Sequence, residues 1–219
     1  MELLRKRFSH EEFDYIALMD CLKGYSRPRD KVTDLLRKGA IVRVKKGLYI
    51  FGDPYRRGPY SRELLANLIY GPSYISLEYA LSYHGLIPER VETITSVTCG
   101  KNRAFSTPVG RFTYRSLPMD CYRLGIDLAQ IGDGRSFLIA NREKALADSI
   151  CRDRGSGVHG VGELEPYLLD YMRVDPVELA KLDPGRLDAI ARACRAKKVR
   201  LLSEFIRTVL PESKETGRE

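Results

Sequence analysis

Lys38-Gly39-Ala40-Ile41-Val42-Arg43-Val44-Lys45-Lys46-Gly47-Leu48-Tyr49-Ile50-Phe51 is the stretch whose reading decides the fold of this chain. Ala40 to Val44 and Leu48 to Phe51 are rich in β-branched and aromatic residues. Between them Lys45-Lys46-Gly47 places a glycine where a tight hairpin turn needs positive φ. The sequence predicts a hairpin with a lysine tip.

Working outward, the residues before the hairpin predict a helix: Ser26 as its cap, Pro28 near its first position and Gly39 as its stop. Val32, Leu35 and Leu36 form its apolar stripe. A step of about 100° per residue leaves Asp30, Thr33, Asp34, Arg37 and Lys38 outward, flanked by Arg29 and Lys31. Farther upstream, Phe13, Ile16, Ala17, Leu18, Cys21 and Leu22 recur at helical spacing, which predicts a helix over 13–22, with Ser9 and Glu12 as a capping box. Helix, helix and basic hairpin together outline a winged helix-turn-helix.

The charge falls in the same place. The chain of 219 residues carries a formal +8. The 35 residues from Lys23 to Arg57 hold eleven bases and three acids, while the remainder is balanced at 26 of each. A neutral body with one basic segment is the footprint of nucleic-acid binding. Helix residues Arg27, Arg29, Lys31, Thr33, Arg37 and Lys38 suit a major groove, and Arg43, Lys45 and Lys46 suit the phosphates beside it. The acids Asp30 and Asp34 repel phosphate unless they accept from a cytosine amino group or pair with Arg37 and Lys38.

Beyond this module the Pro- and Gly-rich run Asp53 to Pro59 reads as a linker. Residues 1–57 are then a winged-helix domain and 58–219 a larger domain. Helices are expected over 61–70, 75–83 and 141–151, the last capped by Asn141, and strands over 92–98, 111–116 and 135–139. A flexible glycine loop over 155–162 precedes a mainly helical part, 163–219, with a polar tail from Glu212. The class is α+β.

Catalytic signals are sparse, and the chain is expected not to be an enzyme and to need no cofactor. Cys21, Cys99, Cys121, Cys151 and Cys194 lack the clustering of a zinc site and read as reduced thiols. His84 and His159 have no nucleophile beside them by motif. Glu143, Lys144 and Asp148 loosely resemble the carboxylates and lysine of a metal-dependent nuclease, the alternative enzymatic reading, although all three come from one helix. The longest charge-free stretch, Leu64 to Leu77, contains Gly71 and Pro72 and falls short of the roughly 20 residues of a membrane helix. The amino end lacks an apolar signal core, so a cytoplasmic location is expected.

Four segments carry a family resemblance. Lys38 to Tyr49 resembles the Gly-Leu-Tyr wing of the AbiEi antitoxin family. Tyr74-Ile75-Ser76-Leu77-Glu78-Tyr79-Ala80-Leu81-Ser82-Tyr83-His84-Gly85-Leu86-Ile87-Pro88-Glu89 is similar to that family's helix. Ile94 to Thr98 with Phe105 to Tyr114, and Ile139 to Asp148, resemble the strands and helix that follow. The resemblance covers about Phe13 to Arg154. It implies a transcriptional autorepressor and antitoxin of a type IV toxin–antitoxin or abortive-infection system. Its winged helix would bind operator repeats in double-stranded DNA, and its second domain would counter a nucleotidyltransferase-like toxin. A protein-docking regulator without a toxin is the remaining alternative.

Overall fold

A computed structural model describes residues 1–132, 134–153 and 157–215, with side chains of the last helix to residue 208. The chain opens with α1 (Glu2–Arg7), β1 (Glu12–Asp14), α2 (Tyr15–Cys21), α3 (Pro28–Arg37), β2 (Ile41–Lys45) and β3 (Leu48–Phe51). The three strands form one antiparallel sheet in the order β1-β3-β2. Their inner face closes a small core with the helices, built from Leu4, Phe13, Leu18, Leu22, Val32, Leu35, Ile41 and Phe51. Phe13 stacks on Phe8 at 4.6 Å between ring centroids and meets Phe51 at 4.8 Å.

Several local expectations are corrected here. Phe13 belongs to a strand, because its partner Tyr49 pulls it into the sheet, and the helix starts at Tyr15. The helix cap is Asp14, whose carboxylate accepts from the Ala17 amide at 2.7 Å, so the Ser9–Glu12 capping box is not the device that starts it. Ile16, read as part of the apolar stripe, is 80% exposed. Arg27, not Ser26, precedes α3, with no side-chain cap.

The expected linker is pinned. Arg5 and Glu11, both buried, face each other at 2.6 Å. Arg5 Nε donates to the Tyr55 carbonyl at 2.7 Å, while Glu11 accepts from the Arg57 and Gly58 amides at 3.0 and 3.1 Å. A buried ion pair is sustainable only when its remaining donors and acceptors are satisfied, and the backbone of 55–58 does that here.

The second part continues with α4 (Arg62–Ile69), β4 (Ser73–Ile75), α5 (Leu77–Tyr83), β5 (Ile94–Thr98), β6 (Arg103–Thr107), β7 (Gly110–Ser116), α6 (Met119–Tyr122), β8 (Ile126–Gly132), β9 (Arg135–Ala140) and α7 (Arg142–Arg152). Its mixed six-stranded sheet runs β6-β7-β5-β4-β9-β8. Ser61 and Asn141 cap α4 and α7 through bonds from the Leu64 and Lys144 amides, at 3.0 and 2.9 Å. Then come α8 (Leu164–Pro166), a wide π-helical turn over Tyr167–Tyr171, α9 (Pro176–Leu179), α10 (Pro184–Cys194) and α11 (Lys197–Glu215). Helices and strands in mixed sheets make the chain α+β. Residues 155–156 of the glycine loop and 216–219 of the expected tail lie outside the described residues.

The two parts share side chains. Val44, Leu48 and Ile50 of the hairpin join the large core with Leu65, Ile69 and Tyr114. The Glu12 carboxylate, on an enclosed side chain, accepts from the Ser61 amide and from Arg135 of β9, each at 2.5 Å. The outer face of the small sheet is thereby covered by the body. Among the described residues no helix is long and apolar enough to cross a membrane.

Candidate nucleic-acid interface

Helix α3 buries Val32 and Leu35 and turns its polar side outward. Arg27, Arg29, Thr33, Arg37 and Lys38 are exposed, and Lys31 is half-buried. Their acids are neutralised within the helix: Asp34 meets Arg37 at 2.8 Å, Lys38 at 2.9 Å and Lys31 at 3.9 Å. Hydrogen bonds from Lys38, then Arg37, hold the Asp34 carboxyl below the usual carboxylate range. Asp30 lies 3.9 Å from Arg27. Of the two fates weighed for Asp34, pairing with Arg37 and Lys38 is the one observed. Thr33 Oγ1 donates to the Arg29 carbonyl at 3.2 Å.

The hairpin divides its cations. Arg43 and Lys46 are exposed and, like Arg29, have no partner among the described residues. Lys45, expected at the tip beside Lys46, points the other way. Its Nζ donates to the Ile69 carbonyl at 2.5 Å and lies 5.1 Å from the centre of the Phe105 ring. The cause is a β-bulge between Arg43 and Lys45, which breaks the alternation of faces so that Lys45 follows Val44 toward the body. Gly47 takes φ +89° in the turn, as the hairpin required.

One group near this face was not singled out from sequence. Tyr25, 45% exposed in the turn before α3, holds its ring 5.4 Å from the Lys31 ammonium. An aromatic between Gly24 and Ser26 in a polar turn was the available signal.

The nuclease-like residues are not gathered into an open site. Glu143 is buried and accepts from the Asp183 amide at 3.0 Å, which fixes the start of α10. Lys144 and Asp148 face elsewhere, as a buried pair at 2.8 Å. Asp148 also accepts from the Tyr74 and Ser76 hydroxyls at 2.9 and 2.8 Å, and the Lys144 ammonium donates to the Cys121 carbonyl. Burial pushes the Asp148 carboxyl up, against the pull of Lys144, Ser76 and Tyr74. The arrangement fastens α7 to β4. His84 ends α5 and reaches the Ala140 carbonyl at 2.7 Å, a packing role, while His159 is exposed and gives its amide to Glu163.

No family model matches the sequence, and no curated protein matches it. The chain is similar in structure to the RV2827C protein from Mycobacterium tuberculosis, known from a crystal structure, with a TM-score of 0.57 and 15% sequence identity. The match covers 96% of this chain and 78% of that one. At that identity the likeness is one of fold, and it extends over both parts of the chain.

Proposed function

We propose that this chain is a cytoplasmic transcriptional repressor that binds double-stranded DNA through residues 1–57 acting as a winged helix, with α3 in the major groove and Arg43 and Lys46 on flanking phosphates. The single observation that carries the reading is the orientation of the basic module. The outer face of its sheet is docked on the body, whereas α3 and the Lys46 tip stand free with Asp34 neutralised by its own neighbours. The order helix, strand, helix, helix, strand, strand, with strands paired β1-β3-β2, supports the same assignment.

The family resemblance extends this to an antitoxin of the AbiEi type. In that reading the docked second part opposes a nucleotidyltransferase-like toxin and carries no catalysis of its own. The buried, internally satisfied state of Glu143, Lys144 and Asp148 supports it over the nuclease alternative.

Fluorescence anisotropy of the full chain on the DNA upstream of its own gene, across a salt series, tests the repressor reading. About five neutralised phosphates give a slope of log K against log salt near −4.5. A flat response, or equal affinity for upstream and scrambled DNA, overturns it. Co-expression with the product of the adjacent gene, scored by growth, tests the antitoxin extension, and absence of rescue removes it while leaving DNA binding untouched.

A further inference from the structure

The balance of charge outside residues 23–57 conceals a second concentration of bases. The nine residues from Arg192 to Arg200 hold five bases and no acid. They span the end of α10, the turn after it and the first turn of α11. The two helices pack on each other, and the Ser203 hydroxyl donates to the Pro184 carbonyl at 3.0 Å. An open recess of about 520 Å³ lies along them, and Arg192, Arg195, Lys197, Arg200 and Arg207 line it. Lys198 turns elsewhere, donating to the Asp153 carbonyl at 2.5 Å.

The five cations of the recess are exposed. Two acids share it, Asp188 and Glu204. Arg207 is paired with Asp188, and Arg192 adds to the field on that carboxylate. Arg195, Lys197 and Arg200 have no hydrogen-bond or ion-pair partner for their side chains among the described residues. Glu204 is the one open acid beside them. Local preference also runs against this placement. Arg195 closes α10 in the left-handed region, at φ 49° and ψ 38°, a position that glycine usually takes because a Cβ is crowded there. The first turn of α11 holds lysines and no acid, the reverse of what a helix start favours. Departures of this kind concentrate at functional sites.

We infer that the α10–α11 recess is a binding site for a compact oligophosphate, an anion with two or three phosphate groups in series. Its volume falls within the range of small-molecule sites, about 300–1,000 Å³. A single phosphate carries about −1.5 to −2 at neutral pH, less than three open cations can neutralise. A chain of phosphates carries more, and its oxygens suit the forked guanidinium donors of Arg195 and Arg200 and the point charge of Lys197. The lining offers no aromatic ring, and its only apolar side chains are Ala191 and Ala196. A nucleobase therefore gains no stacking there, and the phosphates carry the recognition. The site belongs to the second part of the chain and stands whether or not residues 1–57 bind DNA.

Isothermal titration of the full chain with sodium tripolyphosphate, orthophosphate and ATP, without added metal, tests the site. Tripolyphosphate and ATP should bind alike, and orthophosphate at least about tenfold more weakly, the loss of one charged hydrogen bond. Arg195→Gly removes a cation while relieving the left-handed turn. It should keep the thermal stability and lose at least about tenfold in tripolyphosphate affinity. Arg200→Ala should lose as much, and Lys46→Ala nothing. Absence of tripolyphosphate binding, or equal affinity for orthophosphate, overturns the proposal, as does unchanged binding by Arg195→Gly and Arg200→Ala. ATP bound far more tightly than tripolyphosphate would put the recognition in the base and overturn it too. So would a reduced salt slope of DNA binding in the same two variants, which would give the recess to a nucleic-acid backbone instead.

Discussion

Two adjacent lysines should behave as different kinds of residue. Lys46 is exposed at the hairpin turn with no partner among the described residues, whereas Lys45 is bonded to the Ile69 carbonyl at 2.5 Å and rests by the Phe105 ring. If Lys46 neutralises one phosphate, Lys46→Ala removes about 0.9 from the salt slope of DNA binding. At about 0.1 M salt that single contact corresponds to roughly an eightfold loss of affinity. The folded state should be unaffected, since no contact of Lys46 is lost. Lys45→Ala should do the reverse. It removes a charged donor from a carbonyl at the junction of hairpin and body, a bond worth about 1.5–3 kcal/mol net of the water it replaces. A melting point lower by about 2–4 °C per kcal/mol and an unchanged salt slope are expected. Anisotropy over a salt series and thermal melts followed by circular dichroism, run on the same two proteins, decide the matter. Equal reductions in slope for the two variants would refute the bulge-based division of the hairpin cations. An unchanged slope for Lys46→Ala would remove the hairpin tip from the DNA interface.

Three further outcomes follow from named contacts. Arg37→Ala should cost about 1–3 kcal/mol on upstream DNA if the guanidinium reads a guanine; equal loss on scrambled DNA would make it a phosphate contact. Asp148→Ala leaves the buried Lys144 charge uncompensated, so urea titration should show a loss of about 3–5 kcal/mol. Asp148→Asn, which still offers an acceptor to Tyr74 and Ser76, should lose less, and a cost below about 1 kcal/mol for the alanine variant would contradict the fastening role of the pair. A Cβ on Gly52 would sit 1.8 Å from the Gly39 carbonyl oxygen, backbone against backbone. Gly52→Ala should therefore destabilise the module by at least about 1–3 kcal/mol, the usual cost of overpacking, and a protein of unchanged stability would show that the Gly39 turn yields freely.

What was legible in the sequence is what local chemistry determines. The hairpin announced itself by β-branched runs around Gly47, α7 by Asn141 at its cap, and α3 by Pro28 and the stripe of Val32 and Leu35. Each signal lies within a few residues of the element it specifies. The failures have a common origin in distance. β1 is three residues long and shares its Phe13 with an apparent helical spacing, so only its pairing with β3 across some 35 residues of chain makes it a strand. The central strand β4 is equally short and was hidden at the head of the segment read as a helix over 75–83. Glu12 looked like a capping acid; its partners, Ser61 and Arg135, are supplied by the body.

The same distinction governs the charge. Composition and position locate eleven bases between Lys23 and Arg57, and that localisation needs no structure. Which of them remain available to a phosphate depends on contacts made elsewhere in the fold. Lys45 is drawn to the Ile69 carbonyl, Arg56 lies beside Asp53 with its guanidinium 5.0 Å from the Tyr60 ring, and Arg37 and Lys38 share Asp34. A formal charge therefore overstates the field that a nucleic acid would meet, and the salt slope measures the remainder. For this reason a slope nearer five contacts than eleven is the expectation that follows from the folded chain.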